Sequence, residues 1–208
     1  MSMKKLEEIK NFLLNQNLNL SHNSRDGRLN SATNEDEIFK LIEENFCDII
    51  HPKKRDWYDF AYKEDEKFYP VNIKVTELST DNLNCKLGIY YALTGKIPPF
   101  DNQCDWGNFL ESLRDNLEEN DKDYYFLVIN KNDPTDIFYI GLKQMQKLVA
   151  NGNNLPFQAN WSINKEPEYK NYEDAKNFIL QTLGSSFKLR ARVFEQFLEY
   201  FPEFQGKI

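Results

Sequence analysis

The sequence predicts a mixed α/β (α+β) fold, a central mixed β-sheet flanked by helices, and three observations predict it. Residues 56–76, DWYDFAYKEDEKFYPVNIKVT, alternate apolar and polar side chains with the period of two expected of strands, on either side of a polar run. Two later stretches, YYFLVIN and DIFYIGL, are apolar almost throughout, as strands covered on both faces are. Elsewhere apolar residues recur at spacings of three and four, the mark of helices with one buried side. A chain of 208 residues, 40% hydrophobic with 16 Phe and 11 Tyr, can fill one core. One domain over residues 1–208 is therefore expected, with a helix at 4–15 and helices at 172–201 packed on it.

The first element follows from Leu6, Ile9, Phe12 and Leu13, which form a short apolar stripe over residues 4–15. The next stretch, NQNLNLSHNSRDGRLNSATN, is rich in Asn, Ser and Gly and reads as a loop, with Gly27 permitting a turn. Arg28 and Asn30 in that loop could meet DNA, or be merely solvated. Thr33 or Asn34 can cap a second helix, whose stripe is Ile38, Phe39, Leu41, Ile42 and Phe46. Glu35 falls on the inward side of that stripe. There it is either a first-turn acid favoured by the helix dipole or a metal ligand.

Residues 56–76 come next and read as a β-hairpin. Asp59 sits mid-strand in the first half. In the second, Val71, Ile73 and Val75 point one way and Asn72, Lys74 and Thr76 the other. Pairing would put Asp59 and Lys74 on one face, close enough to share a ligand. Thr80 or Asp81 can then cap a helix carrying Leu83, Leu87, Tyr90, Tyr91 and Leu93, stopped by Gly95 and Pro98-Pro99. A further helix carries Trp106, Phe109, Leu110, Leu113 and Leu117. The two apolar strands, separated by a KNDPT turn, extend the sheet.

Lys143 to Val149 is expected to be a short helix ending at Asn151-Gly152. In NLPFQANWSIN the alternation returns, with Gln158 and Asn160 on the polar side. Amides there could pair with adenine in the major groove, and a solvated face is the plainer alternative. Two helices are expected at the end, Tyr172 to Leu183 and Leu189 to Phe201. At the start of the second, Lys188, Arg190 and Arg192 could hold phosphate or a partner subunit, or form a solvated basic face.

Composition excludes several classes. The N-terminus lacks the apolar core of a signal peptide, and no run of about 18 apolar residues could span a bilayer. A cytoplasmic protein with no membrane partner is expected. Cys47, Cys85 and Cys104 contain no CxxC pair and have only His22 and His51 for company, so they read as free, mostly buried thiols rather than a zinc site. The net charge of −7 does not exclude nucleic acid: the 26 basic residues suffice for a local patch, and a metal-dependent nuclease needs carboxylates. No Gly-rich phosphate loop, HExxH or GxSxG occurs.

Hydrolysis of a phosphodiester with a divalent ion needs hard oxygen ligands, an activated water and a positive group near the developing charge. Glu35, Asp59 and Lys74 offer these parts, and the main-chain carbonyl of Ile73 could complete a metal shell. The order helix acid, strand acid, then x-Lys on the next strand is carried by Asn34-Glu35, Trp57–Phe60 and Asn72–Lys74. It resembles the PD-(D/E)xK nucleases, and type II restriction endonucleases among them. The glycine-containing loop before Asn34-Glu35 and a long helix after NIKVTEL add to the likeness, which covers roughly residues 25–95. The chain departs from the family at Asn72, where an Asp or Glu is usual, so Glu35 is expected to supply the missing carboxylate. The resemblance implies a restriction-endonuclease-like sheet and Mg²⁺-dependent cutting of double-stranded DNA, by a homodimer where the recognised sequence is palindromic. It implies catalytic roles for Asp59, Lys74, Glu35 and Asn72, and metal contacts from Asp59, Glu35 and Ile73. The alternatives are a noncatalytic DNA- or protein-binding module on a decayed nuclease fold, and a nicking or repair nuclease of the same fold.

Overall fold

The computed structural model describes residues 3–16, 18, 20, 27–53 and 56–207, with the backbone alone over 27–32. A four-stranded mixed sheet forms its centre. Its strands are β1 (Phe60–Glu64), β2 (Lys67–Thr76), β4 (Tyr125–Asn130) and β5 (Asp133–Gly141), in the order β1-β2-β4-β5. β1 and β2 are antiparallel, β2 and β4 parallel, β4 and β5 antiparallel. The hairpin is tighter than its polar run implies. Asp65 and Glu66, both at positive φ, make the turn alone, so β2 starts at Lys67 and not near Val71.

One face of this sheet is covered by α1 (Lys4–Leu14) and α2 (Gly27–Asn45). Leu6, Ile9, Leu13, Ile38 and Ile42 bury against Phe60, Tyr62, Val71, Ile73, Val75, Leu127 and Ile129. On the other face lie α3 (Lys86–Thr94), α4 (Trp106–Asn116) and the first half of α5 (Tyr172–Tyr200), with Ile89, Leu93, Phe109, Ile179 and Leu183 around Phe126, Val128 and Ile140. β4 is buried on both sides, which is why its sequence is apolar throughout. A second sheet of three strands, β3 (Thr80–Leu83), β7 (Phe157–Asn160) and β6 (Leu148–Ala150), in the order β3-β7-β6, joins this second core through Leu83, Phe157 and Trp161.

Several expectations are corrected. The helix placed from Thr33 or Asn34 begins at Gly27, so Gly27 opens a helix instead of turning a loop. Arg, Leu and Ala are good helix formers and carry the helix back through GRLNSAT. The side chains of Arg28 and Asn30 lie outside the described residues. Thr80 and Asp81 do not cap a helix: TDNL is β3, held by β7, and the helix expected directly after NIKVTEL starts at Lys86. Gly95 ends that helix as expected, in the left-handed conformation, its N–H bonded to the Tyr91 carbonyl.

The short helix expected over Lys143 to Val149 is a 3₁₀ turn at Leu142–Gln144 followed by β6. Pro134 lies inside β5 and not in the turn. The two C-terminal helices are one, α5, which runs through Gly184, Ser185 and Ser186 without a break, the two serine hydroxyls turned back onto the carbonyls of Gln181 and Thr182. Beyond Arg190 its apolar side chains are not packed as expected: Val193, Phe194 and Phe197 are exposed, with Leu198 half-buried. Of the cysteines only Cys85 is buried; Cys104 is half-buried and Cys47 exposed.

Candidate active site at the open edge of β2

β1 enters the sheet beside Val71, with Asp59 just before it donating its N–H to the Val71 carbonyl at 2.9 Å. From Asn72 onward β2 has no β1 residue in register with it. In a strand the N–H and C=O of one residue point to the same side. Ile73 and Val75 therefore turn toward the open edge, while Asn72 and Lys74 turn toward β4.

Two carboxylates take up those edge donors. Asp59 Oδ2 accepts the Ile73 N–H at 2.6 Å and the Asn72 side-chain amide at 2.8 Å. Glu35 Oε1 accepts the Val75 N–H at 3.4 Å. Lys74 Nζ lies 3.8 Å from the same Glu35 oxygen, and neither of these side chains is more than about a quarter exposed, at 19% for Lys74 and 27% for Glu35. Glu35 comes from the helix on one face of the sheet and Lys74 leaves from the other face. They meet around the edge where β1 is missing.

The electrostatics follow from this burial. The Glu35 carboxyl is pushed up to about 7, first by burial and further by Asp59 and Asp81, against the pull of Lys74 and the Val75 N–H. Burial also raises Asp59, with Asp36 adding to it, while the Ile73 N–H and Lys74 oppose. Asp59 Oδ1 and Glu35 Oε2 accept no hydrogen bond from the described residues. Each carboxylate thus keeps one oxygen for a ligand.

The segment that delivers Asp59 is anchored from behind. The Tyr124 hydroxyl donates to the Trp57 carbonyl at 2.7 Å, and the two rings stack with centroids 5.7 Å apart. Tyr124 lies flat over Gly88 of α3, where a Cβ would come within 2.5 Å of the ring. The Asp56 carboxylate accepts the N–H groups of Lys53 and Trp57. Beside this segment is a cleft of about 520 Å³ with Trp57, Tyr58, Phe68 and Phe100 in its wall, and none of Glu35, Asp59 and Lys74 lines it.

Glu35, Asp59, Asn72, Ile73 and Lys74, singled out from the sequence, come together here. The first-turn reading of Glu35 falls away, because α2 begins at Gly27 and the carboxyl is largely buried. Asn72 holds Asp59 through its amide nitrogen, so in this arrangement it is a hydrogen-bond donor to the site. Asp36 and Asp81, which act on the two carboxyls, were not among the expected site residues. For Asp81 a signal existed in Asp81, Asn82 and Asn84, three poor helix formers within four residues, which argue against a helix there.

The proposed DNA contacts lie elsewhere. Gln158 donates to the Asn82 side chain at 3.0 Å, as does Asn151, on the face of the smaller sheet opposite to Asp81. Asn160 Oδ1 accepts from the Ser162 hydroxyl and the Ile163 N–H. Arg190 binds the carbonyls of Gly152 and Asn153, and Lys188 is exposed. Among the described residues no group of three or more His, Cys, Asp or Glu is arranged to hold a metal ion, and none of the helices is long and apolar enough to cross a membrane. No protein-family model matches the chain, and comparison with curated proteins finds no match either.

Proposed function

We propose that the chain is a Mg²⁺-dependent endonuclease of double-stranded DNA, with a sheet and site resembling those of type II restriction enzymes of the PD-(D/E)xK group. The observation that carries this is the meeting of Glu35, Asp59 and Lys74 at the open edge of β2. The residues present fit a hard cation. Two carboxylates, each with one oxygen unengaged among the described residues, and the Ile73 carbonyl on the same edge form an all-oxygen set of the kind Mg²⁺ takes. Their raised carboxyls mark negative charge that burial disfavours and a cation would relieve.

When bound, Mg²⁺ supplies positive charge beside the phosphate and makes a bound water more acidic. Asp59 is oriented for its part by Asn72 and the Ile73 N–H. Glu35 provides the second carboxylate in place of the Asp or Glu that Asn72 replaces. Lys74, 3.8 Å from Glu35, orients the attacking water or offsets the charge that builds on the phosphate. The enzyme would act in the cytoplasm, as a homodimer where the sequence it recognises is palindromic.

A sequenced phage genome incubated with the protein and Mg²⁺ should give discrete fragments, and Asp59→Ala and Lys74→Ala should give none. Cutting by both variants at the parent's rate would refute the assignment. Scission of one strand only would point to a nicking or repair nuclease.

A second reading, a noncatalytic module on the same fold, is favoured by one observation. Asp59 and Glu35 already have a structural task in accepting the edge N–H groups of β2, and the Asn72 amide fills part of the site. A folded chain that neither binds Mg²⁺ or Mn²⁺ nor cuts DNA would support that reading.

A further inference from the structure

The cleft beside the Trp57–Asp59 segment is built from rings that are braced from behind. Trp57 stacks on Tyr124, and Phe68 meets Tyr91 edge-on at 5.9 Å, the Tyr91 hydroxyl bonding the Phe68 carbonyl. Tyr58 stands edge-on to both Trp57 and Phe68. The loop 97–101 supplies the rest of the wall, and there Phe100 is held by Tyr90 and Phe109 at 5.3 and 6.2 Å. Among the described residues Phe100 makes no ring contact with Trp57, Tyr58 or Phe68, so the open volume of about 520 Å³ separates two aromatic walls. Ring surface left bare along such a cleft forgoes dispersion contacts, and a flat aromatic guest would supply them.

Two elements tie the cleft to the carboxylate site. Tyr58 lines the cleft, and Asp59, the next residue, binds the Ile73 N–H; their Cα atoms are about 3.8 Å apart. Leu87, in the first turn of α3, also lines the cleft. Two residues earlier, burial pushes the Cys85 thiol up to about 12 and the Lys74 charge acts against it, which places Lys74 near the same turn. Cleft and site therefore adjoin.

The polar groups of the cleft decide what fits it. A nucleobase offers flat faces to aromatic side chains, and once it leaves the duplex the N–H groups of its pairing edge need acceptors. Asp101 provides one: its Oδ1 accepts the Gln103 N–H, while its Oδ2 accepts no hydrogen bond from the described residues. Asp56, the other carboxylate there, is already engaged by the N–H groups of Lys53 and Trp57. Lys53 is exposed, has no ion pair among the described residues and opens a Lys-Lys-Arg run in the sequence. A cation suited to a phosphate thus stands beside rings suited to a base. An organic cation would gain from the rings and Asp101 but would be repelled by Lys53.

We propose that this cleft takes a single unpaired base of a DNA strand, turned out of the stack beside the phosphate held at Asp59 and Lys74. The proposal rests on the nuclease reading for its substrate, and its test involves no cutting. Fluorescence anisotropy of the full chain in a chelator compares two labelled duplexes of one sequence, fully paired and with one extra unpaired base. The bulged duplex should bind roughly tenfold more tightly or better, the worth of stacking one base on aromatic rings. Ile97→Asp puts a charge into the cleft wall at a position 57% exposed, so the melting temperature should hold. That variant, and Phe100→Ala, should lose the preference while binding the paired duplex as the parent does.

Equal affinity for the two duplexes, or a preference that survives both substitutions, would overturn the proposal. So would a parent without the preference that binds tetramethylammonium in calorimetry, which would assign the rings to an organic cation. The two readings fail separately. A chain that prefers the bulge but does not cut with Mg²⁺ keeps the cleft and loses the nuclease, and one that cuts without the preference does the reverse.

Discussion

Replacing Glu35 by Gln tests whether the open edge of β2 holds a charge that the fold disfavours. The substitution keeps an acceptor for the Val75 N–H and removes the ionisable group. In the folded chain the carboxyl titrates at about 7, against 4.5 for an ordinary glutamate. Because the folded value is the higher one, the stability this group contributes is complete below about pH 4.5 and is lost as the pH rises through about 7. At about 1.4 kcal/mol per pH unit, discounted for the part of the side chain still open to water, the loss amounts to roughly 2–3 kcal/mol. Urea unfolding in the presence of a chelator, at a series of pH values, measures it. Parent and Glu35→Gln should be of similar stability near pH 4.5, and the variant should be the more stable by roughly 2–3 kcal/mol at about pH 8.5. Asp59 is present in both proteins, and its repulsion of the Glu35 carboxylate is one part of the difference. Parallel stability curves across that range would refute the reasoning, because they would mean that Glu35 ionises as freely in the fold as in the unfolded chain.

Three further outcomes follow from the same geometry. Asn72→Asp replaces an amide donor 2.8 Å from Asp59 by a second carboxylate; the metal-free variant should be less stable than the parent near neutral pH by about 1–3 kcal/mol, and Mg²⁺ should recover the loss. Calorimetric titration that finds Mg²⁺ binding abolished in that variant would count against the metal site. Lys74→Met removes the cation that favours ionisation of both acids, so NMR titration should place Glu35 above its parent value, and no DNA cutting should remain. Gly88→Ala drives a methyl into the Tyr124 ring and should lower stability by about 1–3 kcal/mol, read as a reduced urea midpoint; an unchanged midpoint would show that the ring can move freely.

What the sequence made legible is what its local patterns determine. The alternation in residues 56–76 requires a hairpin, and the hairpin's register brings Asp59 beside Asn72 and Lys74. Placing Glu35 needed only the phase of Ile38 and Ile42, which survives the helix starting earlier than expected. The parts that were not legible depend on distant partners. TDNL has a respectable helix cap in its favour and becomes a strand because β7 pairs with it. Leu148–Ala150 likewise becomes a strand beside β7. Gly184-Ser185-Ser186 looks like a helix break, yet two serine hydroxyls find carbonyls one turn back and the helix runs on. Asn72 was readable as a departure from the pattern the sequence resembles, but which atom it would turn toward Asp59 is decided only by the fold.

The two readings of the site, structural and catalytic, draw on one cause. β1 begins only at Phe60, opposite Val71, so β2 beyond Val71 is left with N–H groups directed at an unpaired edge, and buried backbone donors need acceptors. Neutral amides or hydroxyls would serve that purpose without placing charge in a poorly solvated position. Carboxylates at both places bring negative charge there, Asp36 and Asp81 add to the repulsion, and the Lys74 ammonium offsets both. Near neutral pH such a site holds a proton, tolerates repulsion or takes up a cation. An edge that needed only capping would gain nothing from this arrangement, whereas an enzyme that brings Mg²⁺ and a phosphate together would use each of its parts.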